Sequence, residues 1–331
     1  MISSISALRR GVCAALSTAL GLSVLAGAAV AAAPYPERSI RFVVPYAPGG
    51  LPDTVARVTA QQLGERLGVP VVVDNRPGAN GVVAATSLLN SPADGYSFLV
   101  TDGSMLSINP HLYDNLNYDP QKDFLPVSQV ATSPLFLAAH ADFPANTLDE
   151  FIALIKANPG KYDYGSSGVG SSHQLSMEAL KAALGLDITH VPFRGSGQSV
   201  PALVGNQVPV VFSALPSLTG FVDNKQVKLL AVNAGERYSL TPDVPSIAER
   251  VPGYDFAVTV GILAPRGTPQ EAIDRIAKET AAIVKKPEVL ETMRKLGIDP
   301  VGAMPEQYAE AIRAESQRSA AAIKAAGIKP N

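Results

Sequence analysis

The chain is poor in cysteine, tryptophan and histidine, and each shortage removes a class of chemistry. Its 331 residues include one cysteine, no tryptophan and four histidines. Cys13, the one cysteine, lies in the N-terminal segment 1–33, so the rest of the chain has no disulfide and no thiol chemistry. His111, His140, His173 and His190 are scattered and form neither HxxxH nor HExxH. We therefore expect no metal site.

Charge and nucleotide motifs are equally sparse. Charged residues make up 17% of the chain, the net charge is −2, and no basic run occurs, so we expect no nucleic-acid partner. GSSGVG at 165–170 has the wrong glycine spacing for a dinucleotide, and GxxxxGK[ST] and GxSxG are missing. We expect no cofactor and no catalytic activity. A triad of Ser171, His173 and a distant acid remains an alternative that nothing in the spacing supports.

The N-terminus reads as a targeting segment. Arg9 and Arg10 precede an uncharged stretch, Gly11–Ala33, which ends in AAVAAAP. A basic start, an apolar middle and a small-residue exit predict a cleavable signal peptide over 1–33. The alternative is an uncleaved anchor, because the stretch is long enough to span a bilayer. The alanine-rich end favours cleavage and export to the periplasm, and the route, Sec or Tat, stays open.

One unit occurs twice in the remaining chain. The first copy, Ile40–Asn80, runs from strand IRFVVPY through loop APGGLPD and a helix to strand VPVVVDN and RPGAN. The second copy, Lys161–Gly197, runs from strand KYDYG through loop SSGVGSS and a helix to strand DITHVP and FRGSG. Each loop precedes a helix start, where free N–H groups and the macrodipole favour anions. The repeat predicts two loops that close on a carboxylate or a phosphate.

Strands and helices alternate along the chain, which predicts an α/β fold of two lobes with mostly parallel sheets. A boundary is expected near Ser133–Pro134 and a return near Ala257. Lobe I then comprises 34–133 and 257–331, and lobe II comprises 134–256. Two crossings act as a hinge, and the cleft between the lobes is the expected ligand site.

The first loop contains one set of candidate binding residues. Gly49 and Gly50 are expected to adopt positive φ and to let a ligand approach the backbone closely. Asp53 is expected to cap the following helix. The alternative is an ordinary turn between a strand and a helix.

The second loop is the stronger candidate, and further polar groups are found elsewhere in the chain. The segment 166–173 offers four hydroxyls and two glycines, donors that suit a carboxylate or a phosphate. His173 either donates a hydrogen bond to the ligand or packs in the first turn of the following helix. Arg76 and Arg194 hold similar places in the two units. Each could pair with a ligand carboxylate, but we favour the alternative that each braces a turn at the surface. The segment 101–107 adds hydroxyls at a predicted strand end.

Several segments together resemble a known family. IRFVVPYAPGGLPDTVAR, VVVDNRPGANGVVAA, INPHLYDNLNYDPQKDFLPVSQVA, KANPGKYDYGSSGVGSSHQLSMEAL and THVPFRGSGQSVPALVGNQV resemble the Bug/TctC family, the periplasmic solute-binding proteins of tripartite tricarboxylate transporters. The resemblance covers almost the whole mature chain. It implies a two-lobed periplasmic-binding-protein fold (type II-like), a small organic carboxylate as ligand, membrane permease subunits as partners, and a monomer. It also implies that the loops Tyr46–Asp53 and Ser166–His173 hold the carboxylate, partly through backbone amides and ordered water.

Two departures from the family pattern are expected to alter the distal pocket. Many relatives have Phe-Asp-Asn where this chain has Phe212-Ser213-Ala214, and many have tryptophan where it has Thr259 or Val260. The identity of the ligand is therefore not carried over. The predicted ligand-binding residues are Tyr46, Pro48, Gly49, Gly50, Asp53, Thr101, Ser104, Ser166, Ser167, Gly170, Ser171, Ser172, His173, Ser213 and Thr259.

Three functions remain in competition. The first is a receptor that delivers a carboxylate to a tripartite permease. The second is a periplasmic sensor that passes its closed form to a signalling partner. The third is a secreted serine hydrolase, which requires turnover of esters.

Overall fold

The computed structural model describes residues 35–328, so the predicted signal peptide at 1–33 lies outside the described residues. From Arg38 onward the chain forms one compact unit that contains two sheets. The strands are β1 (Ile40–Val44), β2 (Val71–Asn75), β3 (Ser97–Asp102), β4 (Phe124–Ser133), β5 (Phe136–His140), β6 (Asp163–Ser166), β7 (Thr189–Pro192), β8 (Val210–Ser213), β9 (Val227–Val232), β10 (Val258–Pro265) and β11 (Asp299–Ala303).

Ten α-helices lie among the described residues, with two short 3₁₀ turns, Ala79–Gly81 and Ile247–Glu249, and one π-helical segment, Ser104–Ile108. The α-helices are α1 (Leu51–Leu67), α2 (Val82–Leu89), α3 (Asn109–Leu112), α4 (Leu148–Ala157), α5 (Ser172–Leu184), α6 (Ser196–Val204), α7 (Leu215–Asp223), α8 (Gln270–Ile283), α9 (Pro287–Lys295) and α10 (Pro305–Ala326).

The first sheet has six strands in the order β11-β4-β10-β3-β1-β2. Strands β2, β1 and β3 run parallel, while β10, β4 and β11 are joined by antiparallel pairing. The apolar run of β1 lies in the interior of this sheet, because both of its edges are paired and four of its five residues are buried. The carboxyl ends of β1 and β3 therefore lie side by side.

The second sheet has five strands in the order β7-β6-β8-β5-β9. Strands β7, β6 and β8 run parallel, and β5 pairs antiparallel with both β8 and β9. The expectation of mostly parallel sheets is therefore corrected: each sheet is mixed. Of the strands next to the crossings, β10 in one sheet and β5 in the other run against the direction of the βα units, whereas β4 and β9 run with it.

The chain passes between the sheets twice, after Ser133 and after Val232, and the two-lobed α/β fold is confirmed. We call the six-stranded sheet with α1–α3 and α8–α10 lobe I, and the five-stranded sheet with α4–α7 lobe II. The precise limits of the lobes at 134 and 257 stay a prediction. Each lobe has its own core, one around Leu99 and Tyr308 and one around Phe136 and Leu203.

The C-terminal helix α10 contacts both lobes. It packs on β4 of lobe I and on α5 of lobe II. Its Ile323 belongs to a small apolar cluster with Ile108 and Leu112 of lobe I and Leu175 of lobe II. This cluster lies close to the start of α5, where the Ser/Gly loop of the second unit ends.

Candidate ligand-binding site

Tyr46 and Asp102 meet at one edge of the first sheet. Tyr46 follows β1 and Asp102 ends β3, and parallel neighbours place their carboxyl ends at the same edge. The Tyr46 hydroxyl donates to Oδ1 of Asp102 at 2.8 Å. Burial raises the pKa of Tyr46 well above its ordinary value, and the Asp102 carboxylate adds to this effect. The Tyr46 hydroxyl therefore remains protonated as a donor.

Asp102 also connects lobe I to the start of α5 in lobe II. The Ser172 hydroxyl donates to Oδ2 of Asp102 at 3.1 Å, and the Ser172 N–H donates to the Ser104 hydroxyl at 3.0 Å. The Ser104 N–H donates to Oδ1 of Asp102 at 3.1 Å. Burial raises the pKa of Asp102, and these hydrogen bonds oppose the rise. The anion that the sequence predicts at this helix start is thus partly supplied by the protein's own carboxylate.

The hydroxyls of the second loop mostly hold the loop itself. Ser166 exchanges hydrogen bonds with Gly168 at 3.0 and 3.1 Å and contacts His190 at 2.6 Å. Ser171 caps α5, accepting from the Gln174 N–H at 3.2 Å, and donates to the Gly168 carbonyl at 2.7 Å. A Ser cap on a helix start is the expected use of this residue type. These hydroxyls have little capacity left for a ligand.

His173 is buried beside Ser167, and its Nδ1 contacts the Ser167 hydroxyl. Burial lowers the pKa of His173 to about 4, so its ring is neutral at neutral pH. Among residues 35–328, no carboxylate hydrogen-bonds to this ring. The arrangement therefore lacks the acid that orients the histidine of a Ser-His-Asp triad.

The first loop differs from the expectation in two respects. Gly50, not Asp53, caps α1, and its φ of −83° is ordinary; only Gly49 has a left-handed φ, +88°. Asp53 is the third residue of α1, and its carboxylate reaches back to accept from the Gly49 N–H at 2.9 Å. Asn75 and Arg57 also donate to it. Burial opposes the ionisation of Asp53, but these hydrogen bonds outweigh it and lower its pKa.

A cavity of about 260 Å³ lies between the two lobes. That volume is just below the range of ~300–1,000 Å³ typical for small-molecule sites, and it suits a compact metabolite. Both lobes contribute equally to its lining, which comprises Pro45, Tyr46, Gly78, Ala79, Asn80 and Tyr113 of lobe I and Ser167, Gly168, Val169, Pro192, Phe193 and Arg194 of lobe II.

The lobe I wall of the cavity is a strained turn. Ala79 and Asn80 have φ of +44° and +42°, values that non-glycine residues rarely adopt and that cluster at functional sites. The N–H groups of these two residues make no hydrogen bond to another described residue. The Asn80 side chain is fixed, because its amide donates to Asn109 Oδ1 at 2.6 Å and lies 3.4 Å from the Tyr46 hydroxyl. The turn therefore leaves two backbone donors unpaired at residues that line the cavity.

The lobe II wall is similar in character. The N–H groups of Ser167 and Val169 also lack an acceptor among residues 35–328. The one charged residue in the described lining is Arg194, and no acidic residue contributes to that lining. Backbone N–H donors and a guanidinium without a competing carboxylate favour an anion. The remaining surface is largely apolar.

The lobes touch on either side of the cavity, so the described arrangement is closed. The Tyr113 hydroxyl donates to the Val169 carbonyl at 2.9 Å, and the Ala47 N–H donates to the Arg194 carbonyl at 3.2 Å. A Cβ on Gly197 would lie 2.2 Å from the Pro48 carbonyl oxygen, so only glycine allows this approach.

The structure places the predicted site residues in distinct positions. Tyr46 and Ser167 line the cavity, and Ser104 and Ser172 lie behind it on Asp102. Ser166, Ser171 and His173 hold the second loop, and Gly170 packs against Asn80 and Asn109. Pro48, Gly49 and Gly50 contact 196–197 and Ser217, and Asp53 holds the first loop through the Gly49 N–H. Thr101 and Ser213 are buried with unpartnered hydroxyls, and Thr259 donates to Glu315.

Reasoning from the sequence missed most of the cavity lining. The missed part of the lining comes mainly from RPGAN and FRGSG, the segments after the second strand of each repeated unit, and from Tyr113. These segments also follow the carboxyl end of a parallel strand, which is the signal that would have found them. The two arginines diverge: Arg76 pairs with Asp74 at 3.0 Å on the surface, whereas Arg194 lines the cavity.

Within residues 35–328, no cluster of side chains is suited to hold a metal ion. None of the helices in that range combines the length and the apolar character needed to cross a bilayer.

A two-lobed α/β fold with an anion-favouring cavity between the lobes defines the class of periplasmic-binding-protein-like receptors. Within that class, the chain belongs to the TctC family, the tripartite tricarboxylate transporter family receptors, whose family model matches residues 55–328. The resemblance to Bug/TctC proteins is thereby confirmed. Receptors of this family bind solutes rather than catalyse reactions, and they are periplasmic.

Known relatives agree with this assignment. Protein BugT of Bordetella pertussis is 33% identical over 304 residues, which cover 91% of this chain and 93% of BugT. Among solved structures, R. palustris Rpa4515 with adipate is 33% identical with a TM-score of 0.88, covering 90% of this chain and 100% of that one. MatC from Rhodopseudomonas palustris with bound malate is 30% identical with a TM-score of 0.81, covering 87% and 100%.

Proposed function

We propose that this protein is a periplasmic receptor that captures a small organic carboxylate in the cavity between its lobes. The observation that carries the proposal is the lining itself. Unpaired N–H groups come from both walls, at Ala79 and Asn80 and at Ser167 and Val169, and no acidic residue in the described lining opposes an anion. A ligand held by donors of both lobes stabilises the closed form over the open one.

Relatives support the class of ligand. Rpa4515 is seen with adipate and MatC with malate, and both share the fold with this chain at 30–33% identity. A carboxylate matches the N–H donors of the cavity, and the apolar part of the lining matches a hydrocarbon body.

We further propose that 1–33 is removed on export and that the closed, loaded receptor delivers its ligand to the membrane subunits of a tripartite tricarboxylate-type permease. The family to which the chain belongs supports this partner. An uptake assay with the co-expressed receptor and permease tests it: uptake must require the receptor, and receptor-independent uptake contradicts the proposal.

Ligand binding is tested by a thermal-shift screen of mono-, di- and tricarboxylates, aromatic acids and phosphates. A ligand at a hundred times its Kd stabilises the folded state by ~2.7 kcal/mol. We expect at least one carboxylate to raise Tm. A response to phosphates alone, with no carboxylate effective, would show the proposed ligand class to be wrong.

A further inference from the structure

His190 on β7 forms hydrogen bonds with two residues of the second βα unit. Its ring is partly buried, stacks on Tyr164 with 4.9 Å between the ring centroids, and is not part of the described lining of the cavity. Its Nδ1 lies 3.1 Å from Gln174 Nε2, and its Nε2 lies 2.6 Å from the Ser166 hydroxyl. Burial lowers the pKa of His190 to about 4, so at neutral pH the ring is neutral and carries one proton.

The direction of each of these hydrogen bonds follows from one backbone group. The Gly170 N–H can only donate, and it donates to Gln174 Oε1 at 2.7 Å. The Gln174 amide therefore turns its NH₂ group toward His190, whose Nδ1 accepts and whose Nε2 carries the proton. The His190 Nε2–H donates to the Ser166 hydroxyl, which leaves the Ser166 proton to donate to the Gly168 carbonyl at 3.1 Å. We call this series of side chains, Gln174, His190 and Ser166, the relay.

The relay ends at the Gly168 carbonyl, which also accepts from the Ser171 hydroxyl at 2.7 Å and from the Ser171 N–H at 3.2 Å. In a trans peptide the N–H points opposite to the carbonyl, so the Val169 N–H points away from these serines. Gly168 has φ of +135°, and a Cβ there would lie 3.2 Å from the Phe193 carbonyl oxygen, so this position requires glycine. Val169 lines the cavity, and its N–H has no acceptor among residues 35–328.

We propose that His190 is a positioning residue, which acts through Ser166 to hold the Gly168–Val169 peptide with the Val169 N–H available to a ligand carboxylate. This inference rests on the proposed carboxylate-binding function. The neutral ring with its proton on Nε2 keeps the Ser166 hydroxyl directed at the Gly168 carbonyl. With the proton on Nδ1, the ring would accept from Ser166 instead, the carbonyl would lose one of its donors, and two donors would face each other at Gln174.

The first test needs no ligand. Nitrogen-15 NMR of the histidine rings at pH 7 shows which ring nitrogen carries the proton, and the His190 signals are assigned by their loss in His190→Phe. We expect a neutral His190 ring with its proton on Nε2. A proton on Nδ1, or a charged ring, would overturn the relay whatever the protein binds.

The second test follows the Val169 N–H during titration with malate, adipate, citrate and benzoate. With a saturating acid, the Val169 amide proton should shift downfield in the wild type, because it donates to a carboxylate. Ser166→Ala and His190→Phe should each weaken binding by ~10-fold, the lower end of the range for one hydrogen bond to a charged group. The double variant should bind no more weakly than the weaker single variant, because both changes act on one carbonyl.

Ser199→Ala is the matched control, because Ser199 is a buried serine of lobe II whose hydroxyl has no partner among residues 35–328. It should keep the wild-type affinity, and far-UV circular dichroism and Tm establish that each variant is folded. An unshifted Val169 amide at saturation, or additive losses in the double variant, would overturn the role of His190 while leaving carboxylate binding intact. If none of the four acids binds the wild type, the proposed function fails, and the role of His190 toward a ligand fails with it.

Discussion

Removal of the Asp102 carboxylate is expected to weaken both the folded state and the contact between the lobes. In lobe I, Asp102→Ala leaves the Ser104 N–H without its acceptor and leaves the Tyr46 hydroxyl with only the long contact to Asn80 Oδ1 at 3.4 Å. Each buried donor left unsatisfied costs ~1–3 kcal/mol. Burial raises the pKa of Asp102, which means that its charged form is unfavourable at this position. Removal of the carboxylate therefore offsets part of the cost of the unsatisfied donors. We expect the free energy of unfolding to fall by about 3 kcal/mol.

The same substitution removes the hydrogen bond from the Ser172 hydroxyl of lobe II to Asp102, which exists only while the lobes touch. A hydrogen bond to a charged group contributes ~1.5–3 kcal/mol, which corresponds to a ~10- to 150-fold change in the ratio of closed to open molecules. Ligand affinity falls in proportion to the fraction of binding-competent protein.

Urea denaturation measures the free energy of unfolding. Small-angle X-ray scattering of the ligand-free protein measures the closure of the lobes through the radius of gyration. Asp102→Asn, which keeps one acceptor oxygen, should lose less stability than Asp102→Ala. Asp114→Ala is the control, since this residue is exposed, and it should stay within about 0.5 kcal/mol of wild type. An unfolding free energy for Asp102→Ala that also stays within that range would refute the reasoning.

The remaining predictions concern pH, closure and capping. Burial raises the pKa of Glu315 to about 7. The stability that this gives is complete below pH ~4.5, amounts to ~3 kcal/mol at most, and is lost as the pH rises through 7. Between pH 5 and pH 8, urea denaturation should show a larger loss of unfolding free energy for wild type than for Glu315→Gln, and equal losses would contradict this assignment. Gly197→Ala should lower ligand affinity at nearly unchanged Tm, because the new Cβ meets the Pro48 carbonyl only when the lobes close. The control Gly220→Ala, whose Cβ has no atom within 4 Å, should keep the wild-type affinity. Equal affinities of the two variants would show that the contact at Gly197 plays no part in closure. Ser171→Ala should destabilise the protein by ~1 kcal/mol because the helix cap is lost, as a denaturation series would measure. An esterase assay should give the same result for this variant as for wild type.

Local signals were sufficient to predict most of the secondary structure. Apolar runs followed by glycine loops and helix-forming segments predict the βα units, and the observed α1 and α5 begin within the last residues of those loops. The C-terminal helices Gln270–Ile283, Pro287–Lys295 and Pro305–Ala326 each begin at or directly after a proline, a residue favoured in the first turn of a helix. These features depend on period, propensity and caps, which are local properties of the chain.

The direction of the strands could not be read in the same way. A mostly parallel sheet follows from repeated βα units alone, but β4, β5, β9 and β10 flank the two crossings between the lobes. Their orientation depends on which neighbours they meet after the crossing, and no local pattern specifies that choice.

The sequence by itself determined the class of this protein: the repeated unit and the family pattern identify a solute-binding receptor of the TctC family without a structure. Only the tertiary structure decided which groups remain free for a ligand. The hydroxyls of Ser166 and Ser171 are used within their loop, Asp102 takes the start of α5, and the free donors lie at Ala79 and Val169. The physical reason is that a hydrogen bond satisfied inside the protein is unavailable outside it. Which donors are satisfied depends on residues distant in sequence that meet only when both lobes are folded and closed.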